Sequence, residues 1–406
     1  MFKLIKKCRV CYDINLSSVL NLGRQPPANS LQKKIIKQAG VPLNLLRCNN
    51  CCTLQLSATV KSSYLFSKYL WVTRTSEGIK KYRKYFVQKV KSYHSVNNRK
   101  LLEIASNDGF FLEEFRKNGF QILGIDPAKN IAKVANKKKI KTIPKFFNKK
   151  TAELIKKNFF SPNIIICRNV IPHVENIHDI ISGISKILSD NGKAYIEFHY
   201  AENLNKNLHY DYIYHEHIFY FTYLTIKNVL NKHGLFPIDY FKSPISGGSI
   251  VLIISKNELR ESDNLKRLIL YEKKKKINLR IYWKNFKTKC QKHKIILKKI
   301  LKDLAKSNKI IAGYGASARS STLLNYCKIN NSHFKFIFDK SVIKNNLYTA
   351  GSNILIKKPE NYMLCKVQVI FILAWNFKDE IVSFLKKMKF KGTIVTVLPR
   401  VQIEKC

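Results

Sequence analysis

The sequence predicts an α/β chain with two Rossmann-like sheets behind a small, cysteine-bearing N-terminal unit. Three observations carry this. Two Cys-x-x-Cys pairs, Cys8/Cys11 and Cys48/Cys51, lie before residue 75. From about residue 100, strand-like and helix-like patterns alternate. The same strand, glycine loop, helix rhythm restarts at KIIAGYGASARSSTLLNYC. Alternation of this kind implies mostly parallel sheets with helices on both faces.

With 406 residues, two or three domains are expected. The boundaries read as 1–75, 76–257 and 258–406, the last opening with a Lys-rich helical connection over about 258–307. No run approaches the roughly 20 apolar residues of a membrane span. The start, MFKLIKKCRVC, lacks the apolar stretch of a secretory signal, so the cytoplasm is the expected location. The formal net charge is +48. A basic balance can mean nucleic acid or an anionic membrane surface. Here Lys is spread along the whole chain beside abundant Ile, Asn, Phe and Tyr, a global compositional drift and not a local patch. We therefore expect no specific nucleic-acid partner and no membrane partner. A basic surface still suits a diphosphate-bearing substrate.

The elements read in order as follows. SEGIKKYRKYFVQKVKSYHS (76–95) is a helix with a basic outer face. KLLEIA is a buried strand, FFLEEFRKNGF a helix ended by Gly119, and QILGID the second strand. NIIICRN (163–169) is a central strand, IHDIISGISKIL an amphipathic helix, KAYIEFH a strand, and SIVLIIS (249–255) a strand near a sheet edge. FKFIFDKS, VQVIFILAWN and GTIVTVLP supply strands of the second sheet.

Each Cys-x-x-Cys turn points two thiolates at one place, and two such turns complete a tetrahedral S4 site that suits zinc. With no open position the metal would be structural. The alternative is four ordinary buried thiols. Cys52 adjoins Cys51, but the spacing favours Cys51.

LLEIASNDGFFLEEF sets a strand, a polar loop of small residues and a helix in sequence, so backbone N–H groups face a ligand. Asp126, ending the next strand, lies where a carboxylate reaches ribose hydroxyls. The dinucleotide fingerprint is absent, because Ala105, Asn107 and Phe110 stand at its glycine positions. A bulky Phe argues against a pyrophosphate. A sulfonium ligand needs no pyrophosphate pocket and suits acidic side chains, so the loop points to S-adenosylmethionine.

DYIYHEHIFYFT concentrates Tyr214, His215, Glu216 and His217. In an extended chain the two His side chains share one face; in a loop that alternation lapses. A His here can act as a general base, or the His-x-His with its carboxylate can bind metal. His173, in RNVIPHVEN, follows a strand at its ligand-binding end. The loop at 313–322 offers Gly313, Gly315, Ser317, Arg319 and further hydroxyls at a helix start. It reads equally as a phosphate site or a dinucleotide loop with Asp339 as the ribose acid.

Taken in order, these segments resemble the sugar C-methyltransferase family, which includes dTDP-sugar C-3-methyltransferases. The matching motifs are the paired CxxC knuckles, PPANSL, E-I-x-S-N-D-G, NVIPHV, YHEH, GGS, GYGASA with TLLNY, and WNFKDEI. They run through nearly the whole chain. The resemblance implies a zinc-binding N-terminal domain, a class I methyltransferase core and a C-terminal Rossmann-like domain that helps hold a nucleotide-linked sugar. It implies zinc at Cys8, Cys11, Cys48 and Cys51. It gives the cofactor Glu103, Ala105, Ser106, Asn107, Asp108, Gly109, Asp126, Pro127 and Asn169. It makes His217 the base, with Tyr214, Glu216, His173 and Tyr69 around the reacting sugar. Substrate contacts are expected from His215, Gly247, Gly248, Tyr314, Ser317, Arg319, Trp375 and Asn376. The expected reaction is methyl transfer to a carbon of a nucleotide-linked keto-sugar through an enolate, by a monomer or weak homo-oligomer. The competing readings are a methyltransferase acting on another small molecule, a zinc-containing NAD-dependent nucleotide-sugar oxidoreductase at GYGASA, and a nucleic-acid-binding protein. The chain departs from the family at three places. Ala105 replaces a usual Gly, Trp71 a common Tyr, and Ser246 a frequent His.

Overall fold

The computed structural model describes residues 2–66, 77–94 and 99–406. Tyr69 and Trp71 lie outside the described residues.

Strands β1 (Phe2–Leu4), β2 (Leu16–Gln25), β3 (Val41–Cys48), β4 (Leu54–Leu56) and β5 (Ala58–Val60) build the N-terminal unit. β2, β3 and β4 form an antiparallel sheet, and β1 pairs with β5. In β3, Val41, Leu43 and Leu45 alternate inward, the period of a half-buried strand.

The middle unit opens after α1 (Ser62–Phe66) with α2 (Glu77–Lys91). Its inner stripe is Ile79, Tyr82, Phe86 and Val90, at the three-to-four spacing that keeps one helix face buried. There follow β6 (Lys100–Ile104), α3 (Phe110–Lys117), β7 (Gln121–Ile125), α4 (Lys129–Lys137), β8 (Thr142–Ile143), α5 (Lys149–Asn158), β9 (Ile164–Arg168), α6 (Ile177–Ile187) and β10 (Lys193–His199). After α7 (Glu202–Lys206), β11 (Phe219–Tyr220) and α8 (Tyr223–Asn231) come β12 (Phe236–Ser243) and β13 (Ser249–Ser255).

The seven-stranded sheet runs β12-β13-β10-β9-β6-β7-β8. β6 to β10 are parallel, and β13 lies antiparallel between β10 and β12. Ile164, Ile165, Ile166 and Cys167 of β9 are all buried, as a strand covered on both faces requires. The strand at 249–255 is second from the edge. The edge itself is β12, whose Pro237 sits at a register shift, a place where an edge strand tolerates proline. β11 belongs to the other sheet, because Phe219 and Tyr220 pair with Gln55 and Leu54 of β4. The N-terminal sheet thus reaches across the boundary expected near residue 75.

The Lys-rich stretch is two helices, α9 (Asp263–Lys274) and α10 (Arg280–Ala305). α10 buries Trp283, Phe286, Cys290, Leu297 and Leu301 in a cluster shared with both the N-terminal and C-terminal units. Its lysines face outward, so the basic face is real but only half the helix. Then come β14 (Ile311–Tyr314), α11 (Ala318–Cys327), β15 (Phe336–Phe338), β16 (Ile356–Lys357), α12 (Asn361–Leu364), β17 (Val369–Ile372), α13 (Lys378–Lys387), β18 (Thr393–Thr396) and β19 (Gln402–Lys405). This sheet runs β16-β15-β14-β17-β18-β19, parallel except for β19.

In each sheet the strand order reverses once, between β6 and β9 and between β14 and β17. Ligands bind at such switch points, outside the carboxyl ends of the strands. The loops there are 105–109 and 169–173 in one sheet, and 315–319 and 373–376 in the other.

Gly315 makes the second loop possible. Its φ is +101°, and a Cβ built there would lie 2.4 Å from that of Ala374. Gly315→Ala should therefore cost about 2 kcal/mol or more in stability, read as a lower thermal midpoint.

Candidate active site

The two cysteine turns share one geometry. Tyr12 N–H donates to the Cys8 carbonyl and Cys52 N–H to the Cys48 carbonyl. Tyr12 and Cys52 both hold φ near +60° (64° and 63°). Cys52 is therefore the counterpart of Tyr12, a turn residue. Its sulfur accepts from Arg47 Nη2 at 3.0 Å. The ligand set is Cys8, Cys11, Cys48 and Cys51, whose sulfurs all lie within 4.8 Å of one another. The pairs Cys8–Cys51 and Cys11–Cys48 are 3.6 and 3.5 Å apart. Zn–S bonds of about 2.3 Å in a tetrahedron separate sulfurs by about 3.8 Å, so the cage fits zinc. Gln55 Nε2 and Val10 N–H point at Cys8 Sγ, as donors toward a thiolate do. The shared proton with Cys8, together with burial, pushes the Cys51 thiol up. Four crowded sulfurs need a cation before all can ionise.

At the first switch point, Ala105, Asn107 and Gly109 have φ of 54°, 51° and 72°. Left-handed backbone at Ala105 explains why glycine is the usual residue there. Asp126 Oδ2 accepts from Asn107 N–H and its Oδ1 from Ala128 N–H, each at 2.9 Å. That locks the loop to the end of β7. Pro127 follows it, half-buried. Ser106 Oγ and Glu103 Oε2 are buried without a hydrogen-bond partner. Glu103 Oε1 lies 3.5 Å from Arg168 Nε. Burial raises the Glu103 carboxyl to about 7 against the pull of Arg168. A buried acid so poorly compensated, at the end of the strand that opens this loop, fits a cationic nucleoside such as S-adenosylmethionine. Asn169, at φ +53°, turns the chain after β9 and donates its N–H to Glu197 O at 2.7 Å.

Beyond β9, residues 214–217 form a tight turn, with His217 N–H bonded to Tyr214 O at 2.9 Å. The extended alternation therefore lapses, and the two histidines part. His217 Nδ1 lies 3.2 Å from the Tyr212 carbonyl and Nε2 2.9 Å from the Tyr214 hydroxyl. A carbonyl only accepts, so Nδ1 carries the hydrogen and Nε2 is the basic atom. His173 meets His217 edge to face at 4.7 Å between ring centres. Its Nδ1 is 2.7 Å from the Glu216 carbonyl, which fixes its tautomer in the same way. Burial pulls both imidazoles down, His173 to about 4, so both are neutral near pH 7. Glu216 does not orient His217; its carboxyl accepts from Asn29 Nδ2. Burial raises that carboxyl to about 7. His215 turns away from the cluster. It is buried, with Nε2 3.2 Å from the Val41 carbonyl of β3, and ties the turn to the N-terminal sheet.

The second switch point reaches the same segment. Trp375 Nε1 and Arg319 Nε both donate to Asp211 Oδ2, at 2.8 and 3.2 Å. The Arg319 guanidinium lies over the rings of Tyr212 and Trp375. Trp375 stacks near His209, His209 Nδ1 lies 3.3 Å from His199 Nε2, and His199 stacks on Tyr212. An aromatic chain thus runs from the second crevice to His217. Asp211, His199 and His209 escaped the sequence reading, because nothing in their local spacing marks them. Gly247 and Gly248 lie alongside: a Cβ on Gly247 would meet Trp375 at 2.9 Å, and one on Gly248 would meet Asn203 at 2.8 Å. Ser317 caps α11 reciprocally with Ser320, and Asn376 is exposed at the rim. Tyr314 is not part of this group. Strand alternation sends it to the opposite face, between Phe338 and Phe384. Asp339 accepts from Ala316 N–H and from Lys344 Nζ.

Three family models match the chain in succession: a putative zinc-binding domain over residues 8–66, a methyltransferase domain over 77–238, and a C-methyltransferase C-terminal domain over 244–399. The chain is 27% identical to C-methyltransferase NovU of Streptomyces niveus over 408 residues, covering 98% of this chain and 97% of that one. Among solved structures, magnesium protoporphyrin IX methyltransferase of Synechocystis PCC 6803 with bound SAM matches 44% of this chain and 79% of its own. The identity is 12% and the TM-score 0.34. The 1,6-didemethyltoxoflavin-N1-methyltransferase of Burkholderia thailandensis matches 48% of this chain and 85% of its own, at 13% identity and a TM-score of 0.36. Among the described residues, no helix is long and apolar enough to cross a membrane.

The cage predicts its own test. Cys48→Ser should lose bound zinc and lower the thermal midpoint by roughly 5–10 °C. Metal analysis and calorimetry check both.

Proposed function

We propose that this chain, which matches in succession a putative zinc-binding domain, a methyltransferase domain and a C-methyltransferase C-terminal domain, is an S-adenosylmethionine-dependent C-methyltransferase that methylates a carbon of a nucleotide-linked keto-sugar through a base-generated enolate. Its middle sheet is the class I methyltransferase core, and its cofactors are S-adenosylmethionine and a structural zinc ion. The observation that carries the proposal is the neutral His217–Tyr214 pair standing between two switch-point crevices.

The roles follow from the geometry. When bound, S-adenosylmethionine supplies an electrophilic methyl group on a sulfonium, which the substrate carbanion takes. Glu103, Asn107, Asp108 and Asp126 hold it, with Ala105, Ser106, Gly109, Pro127 and Asn169 shaping the loops. The hydrogen on carbon next to a ketone is acidic because the resulting charge spreads onto oxygen. His217 Nε2 takes that proton, and its Nδ1–H stays on the Tyr212 carbonyl. The Tyr214 hydroxyl, now on Nε2, turns to the ketone oxygen and donates to the enolate there. The enolate then holds the imidazolium as an ion pair, which compensates for a base whose burial disfavours charge. Glu216, as a carboxylate, accepts a sugar hydroxyl, and His173 packs the base in place. Ser317, Arg319, Trp375 and Asn376 take the diphosphate and nucleoside. Their binding energy positions the reacting carbon. The units act as a zinc-binding domain (1–75), a methyltransferase domain (76–257) and a substrate-binding domain (258–406), in a cytoplasmic monomer or weak homo-oligomer.

Two outcomes are expected. His217→Ala should bind S-adenosylmethionine as wild type does in a calorimetric titration. With labelled cofactor and a panel of nucleotide-linked keto-sugars, it should lose at least about a hundredfold in turnover. Product mass spectrometry locates the label on carbon; label on oxygen or nitrogen only would sink the reading. The pH profile has a defined sign. The imidazoles are neutral across pH 6 to 9, whereas Glu216, raised to about 7, becomes a carboxylate only above that. So kcat/KM should rise with pH through about 7, and Glu216→Gln should abolish this limb.

A further inference from the structure

The loop joining β2 to β3 carries the segment Pro26-Pro27-Ala28-Asn29-Ser30-Leu31 and belongs to the zinc-binding end of the chain. Its tip is closed on itself. Ser30 N–H donates to the Pro27 carbonyl at 3.0 Å, and Ser30 Oγ donates to the same oxygen. Gln38 Nε2 donates to the Ser30 carbonyl at 2.9 Å. The loop is also docked on the C-terminal unit. Gln32 and Tyr348 exchange backbone hydrogen bonds, and Gly351 N–H donates to Gln38 Oε1. Gly351 has no room for a side chain there: a Cβ would meet Pro26 at 3.0 Å. Between these anchors Asn29 is held with its amide on Glu216, 187 residues away.

Glu216 is buried, and among the described residues Asn29 is its one side-chain hydrogen-bond donor. The carboxyl and the turn that carries it are thus gripped from two sides. Asn29 holds the side chain, while His173 holds the backbone carbonyl. The ionisable groups of this turn are Tyr214, His215 and His217, with His173 packed on it; burial keeps the three imidazoles neutral, and the charge of Arg319, which also holds His217 down, is committed to Asp211 and the rings of Tyr212 and Trp375.

We propose that Asn29 is a positioning residue of the active site: the zinc-binding end of the chain reaches across a unit boundary to orient the Glu216 carboxyl toward the substrate and to favour its charged form. The physical reason is simple. A buried carboxyl favours its neutral form, and an amide N–H aimed at one oxygen favours the charged form. Burial raises the group to about 7, and the Asn29 bond opposes that rise. Take the bond away and, among the described residues, no other side-chain donor replaces it. The significance of Glu216 for the substrate rests on the function proposed above; the grip of Asn29 on it does not.

The test separates the two. The Glu216 carboxyl is followed across pH by infrared difference spectroscopy in the zinc-loaded full chain, with Glu216→Gln to assign the band. Asn29→Ala should raise the midpoint by about one pH unit. Asn29→Asp is nearly isosteric but sets a second carboxylate against the first, and should raise it further. With a keto-sugar substrate, Asn29→Ala should lose about five- to tenfold in kcat/KM at pH 7 and recover most of it at pH 9. Bound zinc and affinity for S-adenosylmethionine stay as in the wild type. An unmoved midpoint in both zinc-loaded variants overturns the inference, as does a loss of rate that is the same at every pH. A raised midpoint in a protein that methylates no keto-sugar upholds the Asn29 grip and removes the functional reading instead.

Discussion

The segment from His209 to Tyr220 depends on the rest of the chain for its shape. It has one short 3-10 turn and a two-residue strand, too little regular structure to hold buried histidines in place. Three separate parts hold it. β4 pairs with Phe219 and Tyr220, the Val41 carbonyl meets His215, and Arg319 and Trp375 clamp Asp211. β4 follows directly on the Cys48–Cys51 knuckle, so the metal cage supports the strand that supports the turn. A distant structural metal thereby becomes part of what keeps His217 in its tautomer. The cost of ordering such a segment is spread over three hydrophobic units, none of which carries it alone.

That arrangement also decides how the imidazoles work. His173 and His217 are each oriented by a backbone carbonyl and not by a carboxylate. A carbonyl fixes which nitrogen bears hydrogen without adding negative charge, so it does little to stabilise an imidazolium. Burial then holds both rings neutral. His217 is thus neutral near pH 7, with its Nε2 unprotonated. Burial brings two carboxyls, Glu103 and Glu216, to about 7, and the one beside these rings, Glu216, is governed by a different part of the chain.

The sequence revealed what is local. The paired cysteines, the strand and helix periods, and the polar loops at 105–109 and 313–319 are set by neighbours within a few residues, and they appear where expected. Cys51 was separable from Cys52 by spacing alone, and the left-handed turn at Cys52 shows why. Long-range relations were not legible. β12 carries Pro237, which hides an edge strand. β11 is two residues long and finds its partners 164 and 166 positions earlier. His215 and Tyr314 were grouped with the substrate by proximity in sequence, yet a tight turn and a strand's alternation send each the other way. Asp211 carries no local signal, and PPANSL marks Asn29 without naming its partner, because the meaning of each lies in residues more than a hundred positions away.

The two sheets reverse their order in the same manner, and their crevices hold a similar carboxylate: Asp126 on Asn107 N–H in one, Asp339 on Ala316 N–H in the other. Their countercharges differ. Among the described residues, the three acids Glu103, Asp108 and Asp126 face the two cations Arg168 and Lys138 in the first, an excess of one negative charge once Glu103 is ionised. In the second, Asp339 and Asp211 are matched by Lys344 and Arg319. Two clefts of like topology are therefore sorted by polarity. Under the function proposed above, this polarity favours the sulfonium in the first cleft and leaves the second open to the diphosphate.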